Sequence, residues 1–180
     1  MSHWKIISKK RILKAELFDV KEITLKNDNG KTVIHHEAER APIVSIFPLT
    51  DSYEIYLISQ YRYMLEKTIL EAVAGHVDKN ETSIAAARRE LKEETGIEAL
   101  QFEEIARTQT SASVFKSPVS LFLAKGLEIG DNSLDEFEDI KLVKMPLEEA
   151  VEKVMTGEIN NLASMTGILM LDKLRKEKKL

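Results

Sequence analysis

From about Glu81 to Thr95 the apolar residues of this chain recur at helical spacing. Ile84, Ala87, the stem of Arg88, Leu91 and Thr95 follow the i, i+3, i+4, i+7 pattern of a buried stripe. Strand-like patterning flanks this stretch on both sides, and Gly96 follows it as a C′ stop. One helix is therefore embedded among strands, which limits the chain to folds that pack a helix on a sheet. The same helix carries Glu90, Glu93 and Glu94 at i, i+3 and i+4, within about 100° of arc. Like charges at those spacings repel and weaken a helix by a few tenths of a kcal/mol, about 0.2–0.5 per pair. A solvated acidic face partnered by Arg88, Arg89 and Lys92 is one resolution. A hard divalent cation is another, because Mg²⁺ prefers carboxylate oxygens and keeps waters for substrate phosphates.

The rest of the chain reads as strands with two later helices. Short strands are predicted over 10–36, with Asn29-Gly30 as a hairpin turn. Apolar strands follow at Ile43–Leu49, Tyr53–Tyr61 and Thr68–Val73, then at Phe102–Thr108, Val119–Ala124 and Ile140–Val143. Pro146 opens a helix over Leu147–Met155, and a last helix runs from about Leu162 to Lys178. The expected class is α/β (α+β), a mixed sheet between helices. Residues 1–40 form an N-terminal antiparallel β segment, and 41–180 form the main domain.

Composition narrows the function. A net charge of −4 argues against a nucleic-acid protein that binds through a basic field. The absence of cysteine removes disulfides, thiolate catalysis and thiolate-bound zinc. No apolar run approaches the ~20 residues that span a bilayer, and no secretory signal is apparent. The expectation is a cytoplasmic protein with neither a membrane nor a nucleic-acid partner.

Read from Gly75, the chain is GHVDKNETSIAAARRELKEETGI. It resembles the Nudix box, G-x5-E-x7-R-E-U-x-E-E-x-G-U with U aliphatic, at every specified position: Gly75, Glu81, Arg89, Glu90, Leu91, Glu93, Glu94, Gly96 and Ile97. The resemblance implies an αβα sandwich. It implies that Glu90, Glu93, Glu94 and the carbonyl of Ala74 bind Mg²⁺ or Mn²⁺, with Arg89 orienting the carboxylates and Glu81 assisting. LEAVAGHVD and ISQYRY are similar to segments of ADP-ribose and nucleoside-diphosphate-sugar pyrophosphatases. The tail MPLEEAVEKVMTGEINNLAS resembles the same subfamily. By that likeness Arg62 and Arg40 meet substrate phosphates, a task suited to the planar arginine fork. The resemblance also implies a general base from an acidic loop beyond the box, here Glu136 or Glu138 in DNSLDEFEDIKL, with a box glutamate as the alternative.

One departure stands out. The subfamily usually places a Ser-Pro-Gly run, followed by Glu, after the box. Here the proline position is Ala112, Pro118 comes six residues later, and the Glu position falls near Ser117. The departure counts against ADP-ribose specifically and leaves the broader class, so the expectation is hydrolysis of the diphosphate bond in nucleoside diphosphate sugars, ADP-ribose-like in type. The alternatives are action on nucleoside triphosphates or dinucleoside polyphosphates, or a non-catalytic nucleotide-sensing domain. Because a lone hairpin is marginally stable, the N-terminal strands are expected to pack on a second subunit as a homodimer. Arg40, or an aromatic such as Trp4 or Phe18, would then reach the partner's nucleotide.

Overall fold

The structure is a computed structural model that describes residues 3–130 and 140–180. The chain divides into two compact units, Met1–Pro42 with Gln109–Pro118, and Ile43–Thr108 with Val119–Leu180.

The second unit holds the helices. Its strands are β4 (Ile43–Pro48), β5 (Glu54–Arg62), β6 (Lys67–Glu71), β7 (Val73–His76), β8 (Ile97–Gln109), β10 (Pro118–Ile129) and β11 (Ile140–Pro146). One sheet runs β7-β4-β10-β8 and the other β11-β5-β6. β4 is parallel to β10 but antiparallel to β7, so the first sheet is mixed. The second pairs β5 antiparallel with both neighbours.

Alternation along these strands builds a layer on each face. Phe47, Leu49, Ile55, Leu57, Leu121 and Leu123 point into one buried cluster, which includes Leu147, Ala150 and Val154 of α2 (Leu147–Met155) and Ile168 and Leu171 of α3 (Leu162–Lys176). Their sequence neighbours Val44, Ile46, Tyr56, Ile58, Phe122 and Ala124 point the other way. They meet Ala86, Ala87 and Leu91 of α1 (Ser83–Thr95). The expected mixed sheet between helices is the architecture found.

Ala87, Leu91 and Thr95 of α1 are buried, as the apolar spacing predicts, but the N-terminal part of the stripe is not. Ile84 is 42% exposed, whereas Ala86 and Glu94 are buried, Glu94 to 6%. Residues 86, 90 and 94 lie on one face at i, i+4, i+8, beside 87, 91 and 95. The helix is thus rolled so that Glu90 and Glu94 turn inward, while Glu93 stays partly exposed. Arg88, expected to bury its stem, is exposed. Its guanidinium stacks 4.4 Å from the Phe102 ring centroid and donates to the Ala99 carbonyl.

In the first unit the sheet order is β1 (Trp4–Lys14), β2 (Phe18–Asn27), β3 (Thr32–Arg40) and β9 (Phe115–Lys116). β1 starts at Trp4, well before the predicted limit at residue 10; its clustered lysines obscure the alternation. The β2–β3 hairpin closes as Asn29-Gly30 predicts, with the Asn27 carboxamide oxygen accepting from the Asn29 and Lys31 amides. Among the described residues of this unit, Ile23 is the one fully buried apolar side chain. Every position of β1 is exposed, including Ile6, Ile7, Ile12 and Leu13.

Candidate functional site

Strand β7 and helix α1 bring the box together. α1 begins at Thr82, whose hydroxyl accepts from the Ala85 amide, and ends at Gly96, whose φ of +72° suits a residue without Cβ. At the other glycine, close approach is the reason for the residue. A Cβ on Gly75 would lie 1.8 Å from the carboxyl carbon of Glu90 and about as close to both of its oxygens. The Glu90 carboxylate therefore rests on the Gly75 backbone, next in sequence to Ala74.

Arg89 organises the carboxylates. Its Nε donates to Glu81 Oε1 at 3.1 Å and its Nη2 to Glu81 Oε2 at 3.0 Å, a two-pronged pair. Nη2 also donates to the His76 carbonyl at 2.9 Å. Nη1 bridges Glu90 Oε1 at 2.8 Å and Glu93 Oε2 at 3.0 Å. The expected Arg89–Glu93 pairing across one turn is thus present, and the same guanidinium reaches three carboxylates. It is held charged well above the ordinary arginine range, first by Glu81 and then by Glu90 and Glu93. Glu81 is held below the usual carboxylate range, mainly by Arg89 and also by the Asp78 amide, although burial opposes this. That amide donates to Glu81 Oε2 at 3.0 Å.

The donor set is hard oxygen throughout, which fits Mg²⁺ or Mn²⁺ by chemistry. Gly75 leaves room for the Glu90 carboxylate against the Ala74–Gly75 backbone. Arg89 engages one oxygen each of Glu90 and Glu93, and a carboxylate offers about four acceptor positions. Among the described residues, no three His, Asp or Glu side chains already converge as a metal-binding group. Glu93 keeps 43% of its side chain exposed.

Arg62, at the end of β5, is held from behind. Its Nε and Nη2 both reach Glu71 Oε1, at 2.6 and 2.5 Å. Its side chain is 40% exposed, while Glu71 is 3% exposed. Burial raises the Glu71 pKa and Arg62 opposes the rise. The other oxygen, Oε2, accepts from Asn161 Nδ2 at 3.2 Å. Asn161 also caps α3, accepting from the Ser164 amide and hydroxyl, and Ser164 Oγ accepts from the Ala72 amide at 2.9 Å. Reading the sequence passed over Glu71. An isolated glutamate at a strand end carries no local signal, and its partners lie 9 and 90 positions away.

Arg40 belongs to the first unit, where it ends β3 opposite Phe18. The Ala112 segment belongs there too; the Ser111 hydroxyl accepts from the Ser113 and Val114 amides. Pro118 opens β10, one residue before the predicted start of that strand at Val119. Glu136 and Glu138 lie outside the described residues.

The NUDIX domain profile matches residues 39–163. Over 174 residues the chain is 31% identical to a methanol dehydrogenase activator of Bacillus methanolicus, spanning 93% of this chain and 94% of that protein. Over 157 residues it is 31% identical to an ADP-ribose pyrophosphatase of Bacillus subtilis, spanning 86% and 85%. The ADP compounds hydrolase NudE of Escherichia coli is 25% identical over 168 residues, 92% of this chain and 90% of that one. A crystal structure of an ADP compounds hydrolase superposes with a TM-score of 0.85, covering 98% of this chain and 97% of that chain at 23% identity, a likeness of fold.

Proposed function

This chain belongs to the Nudix family of hydrolases, and from that premise we propose that it cleaves the diphosphate bond of nucleoside diphosphate sugars of the ADP-ribose type. The products are a nucleoside monophosphate and a sugar phosphate. Water adds to one phosphorus, the bridging P–O bond breaks, and the departing phosphate keeps the bridging oxygen. The observation that carries this reading is the Arg89 hub, whose guanidinium hydrogen-bonds Glu81 ahead of α1 and Glu90 and Glu93 on it. Such a concentration of carboxylates beside a glycine-cleared backbone suits an enzyme that handles phosphates through divalent cations. The B. subtilis ADP-ribose pyrophosphatase, similar over most of both chains, supports the choice of substrate class.

Nudix hydrolases in general use divalent metals. Glu90, Glu93, Glu94 and the Ala74 carbonyl are the groups that would hold Mg²⁺ or Mn²⁺, and a cation bound there supplies Lewis acidity at the phosphoryl oxygens. Arg89 keeps the carboxylates ionised and aimed. Arg62 binds the diphosphate with its remaining N–H donors; Arg40 is proposed as a substrate-binding residue on the subfamily likeness alone. Glu136 or Glu138 takes the proton from the attacking water.

Residues 1–40 act in this reading as a dimerisation element beside a catalytic domain over 41–180. The support is a three-strand meander with exposed Ile6, Ile12, Leu13 and Ile34. A small sheet with so much open apolar surface calls for a cover, and a two-fold partner supplies one.

The deciding experiment is a phosphatase-coupled phosphate-release assay with ADP-ribose, GDP-mannose, UDP-glucose, diadenosine polyphosphates and nucleoside triphosphates, each with Mg²⁺ and with Mn²⁺. Highest kcat/KM on a nucleoside diphosphate sugar is expected. Preference for triphosphates, or binding without turnover, would overturn the reading.

A further inference from the structure

A buried carboxylate is expensive unless its oxygens are satisfied, and a buried ion pair stabilises a fold no better than apolar residues of similar volume. Glu71 is therefore poorly explained by stability alone. Its contacts are one-sided: Oε1 takes both Nε and Nη2 of Arg62, and Oε2 takes the Asn161 amide. Arg62 is the opposite case, anchored along one edge yet 40% exposed. A guanidinium carries five N–H donors; Nε donates to Glu71 and Nη2 lies in ion-pair contact with the same oxygen, which leaves the Nη1 side of the fork for a ligand. Fixing one edge of the fork before the ligand arrives removes much of the rotamer entropy that a free arginine loses on binding.

Asn161 completes the arrangement. Its oxygen is committed to capping α3, through the Ser164 amide and hydroxyl. That commitment orients the nitrogen of the same carboxamide toward Glu71. Ser164 in turn receives the Ala72 amide, next in sequence to Glu71. The first turn of α3 is thereby stitched to the end of β6 at both the side chain of Glu71 and the backbone of Ala72.

We propose that Glu71, braced by the α3 cap residue Asn161, is a positioning residue that holds Arg62 in a fixed orientation for the substrate diphosphate. This rests on reading Arg62 as a phosphate-binding arginine of the hydrolase. Glu71 makes no contact with substrate itself; it acts through the guanidinium. The α3 cap then serves affinity as well as helix stability.

The test is a double-mutant cycle on the best substrate of the panel, with kcat and KM measured separately. Arg62→Ala is expected to lower kcat/KM by ~10²-fold, and Glu71→Gln by ~10-fold, with the Glu71→Gln loss mainly in KM. In the Arg62→Ala background, adding Glu71→Gln should change kcat/KM by less than ~2-fold, because the group it positions is gone. A merely structural role for Glu71 gives a lower kcat at unchanged KM, through a smaller active fraction, and effects that multiply in the double variant; either result overturns the proposal. Asn161→Asp covers the case in which Glu71→Gln does not fold. Aspartate still caps a helix, but it loses the N–H donor and faces Glu71 with like charge. A KM raised severalfold with unchanged circular dichroism supports the proposal, and an unchanged KM overturns it. Full activity of Arg62→Ala rejects this proposal while leaving the hydrolase reading intact. Absence of turnover by the wild-type chain on the whole panel rejects both.

Discussion

The Glu90 carboxylate occupies the space that a side chain at residue 75 would need: a Cβ built on Gly75 falls 1.8 Å from Glu90 Cδ. Helix α1 and strand β7 are thus fitted to each other through one missing methyl group. Gly75→Ala should displace Glu90 and lower kcat by at least ~10²-fold, with a stability loss of about 1–3 kcal/mol from overpacking. Steady-state kinetics and chemical denaturation on the same preparation measure both. Wild-type kinetics in this variant would show that Glu90 need not rest on the Gly75 backbone.

Glu94→Gln is expected to lower kcat by at least ~10²-fold with little change in folding. Glu94 is buried at the end of α1, and glutamine keeps its volume while removing its charge. Thermal denaturation beside turnover with Mg²⁺ separates the two effects. Near-normal turnover would remove the metal role proposed for this residue.

Metal removal should abolish turnover while leaving the fold in place. Arg89 already compensates Glu81, Glu90 and Glu93 by hydrogen bonds, so the helix does not depend on a cation to offset its repulsions. We expect EDTA to remove activity, Mg²⁺ or Mn²⁺ to restore it, and circular dichroism to stay constant throughout. Turnover that persists in chelator would count against the proposed chemistry.

Acid should loosen the box through Glu81. Its folded-state pKa is depressed by Arg89. Its contribution is therefore present above the unfolded-state value, near 4.3, and is lost as pH falls through the lower folded value. At pH 7, Glu81→Gln should cost about 1–2 kcal/mol, the scale of a charge-assisted pair. The gap between wild type and variant should close as pH drops below about 4. Melting temperatures across pH 3–7 follow it directly, and a gap independent of pH would mean that the pair contributes through shape alone.

Disrupting the first sheet should change assembly before it changes chemistry. Ile6→Lys and Leu13→Lys place charge on exposed apolar positions of β1. If these residues cover a second subunit, light scattering should report a monomer for the double variant and a dimer for wild type. A wild-type monomer would defeat the proposal for residues 1–40.

How much of this was readable in the sequence depended on how local each interaction is. The strands of the second unit follow runs such as Ile43–Leu49, where every second side chain enters one of two apolar layers. The Arg89–Glu93 pair was readable because both residues sit on one helix. The buried face of α1 was readable in part: Ala87, Leu91 and Thr95 lie inside as their spacing predicts, whereas Ile84 is exposed and Glu94 is buried because Ala86, Glu90 and Glu94 share the adjoining face. Glu71 and Asn161 escaped for the opposite reason, since their meeting is a product of tertiary structure alone. In β1 the apolar residues come in adjacent pairs, Ile6-Ile7 and Ile12-Leu13, around the cations Lys9, Lys10 and Arg11, and two register shifts against β2 break the alternation.

Those cations have a consequence of their own. β1 is the outermost strand of its sheet, paired on one side to β2. It carries Lys5, Lys9, Lys10, Arg11 and Lys14 and no acidic residue. Two such edges approaching each other meet like charge along their whole length, which discourages strand-by-strand growth into fibrils. Added salt shortens the reach of that repulsion, so concentrated protein should keep its colloidal stability best in dilute buffer.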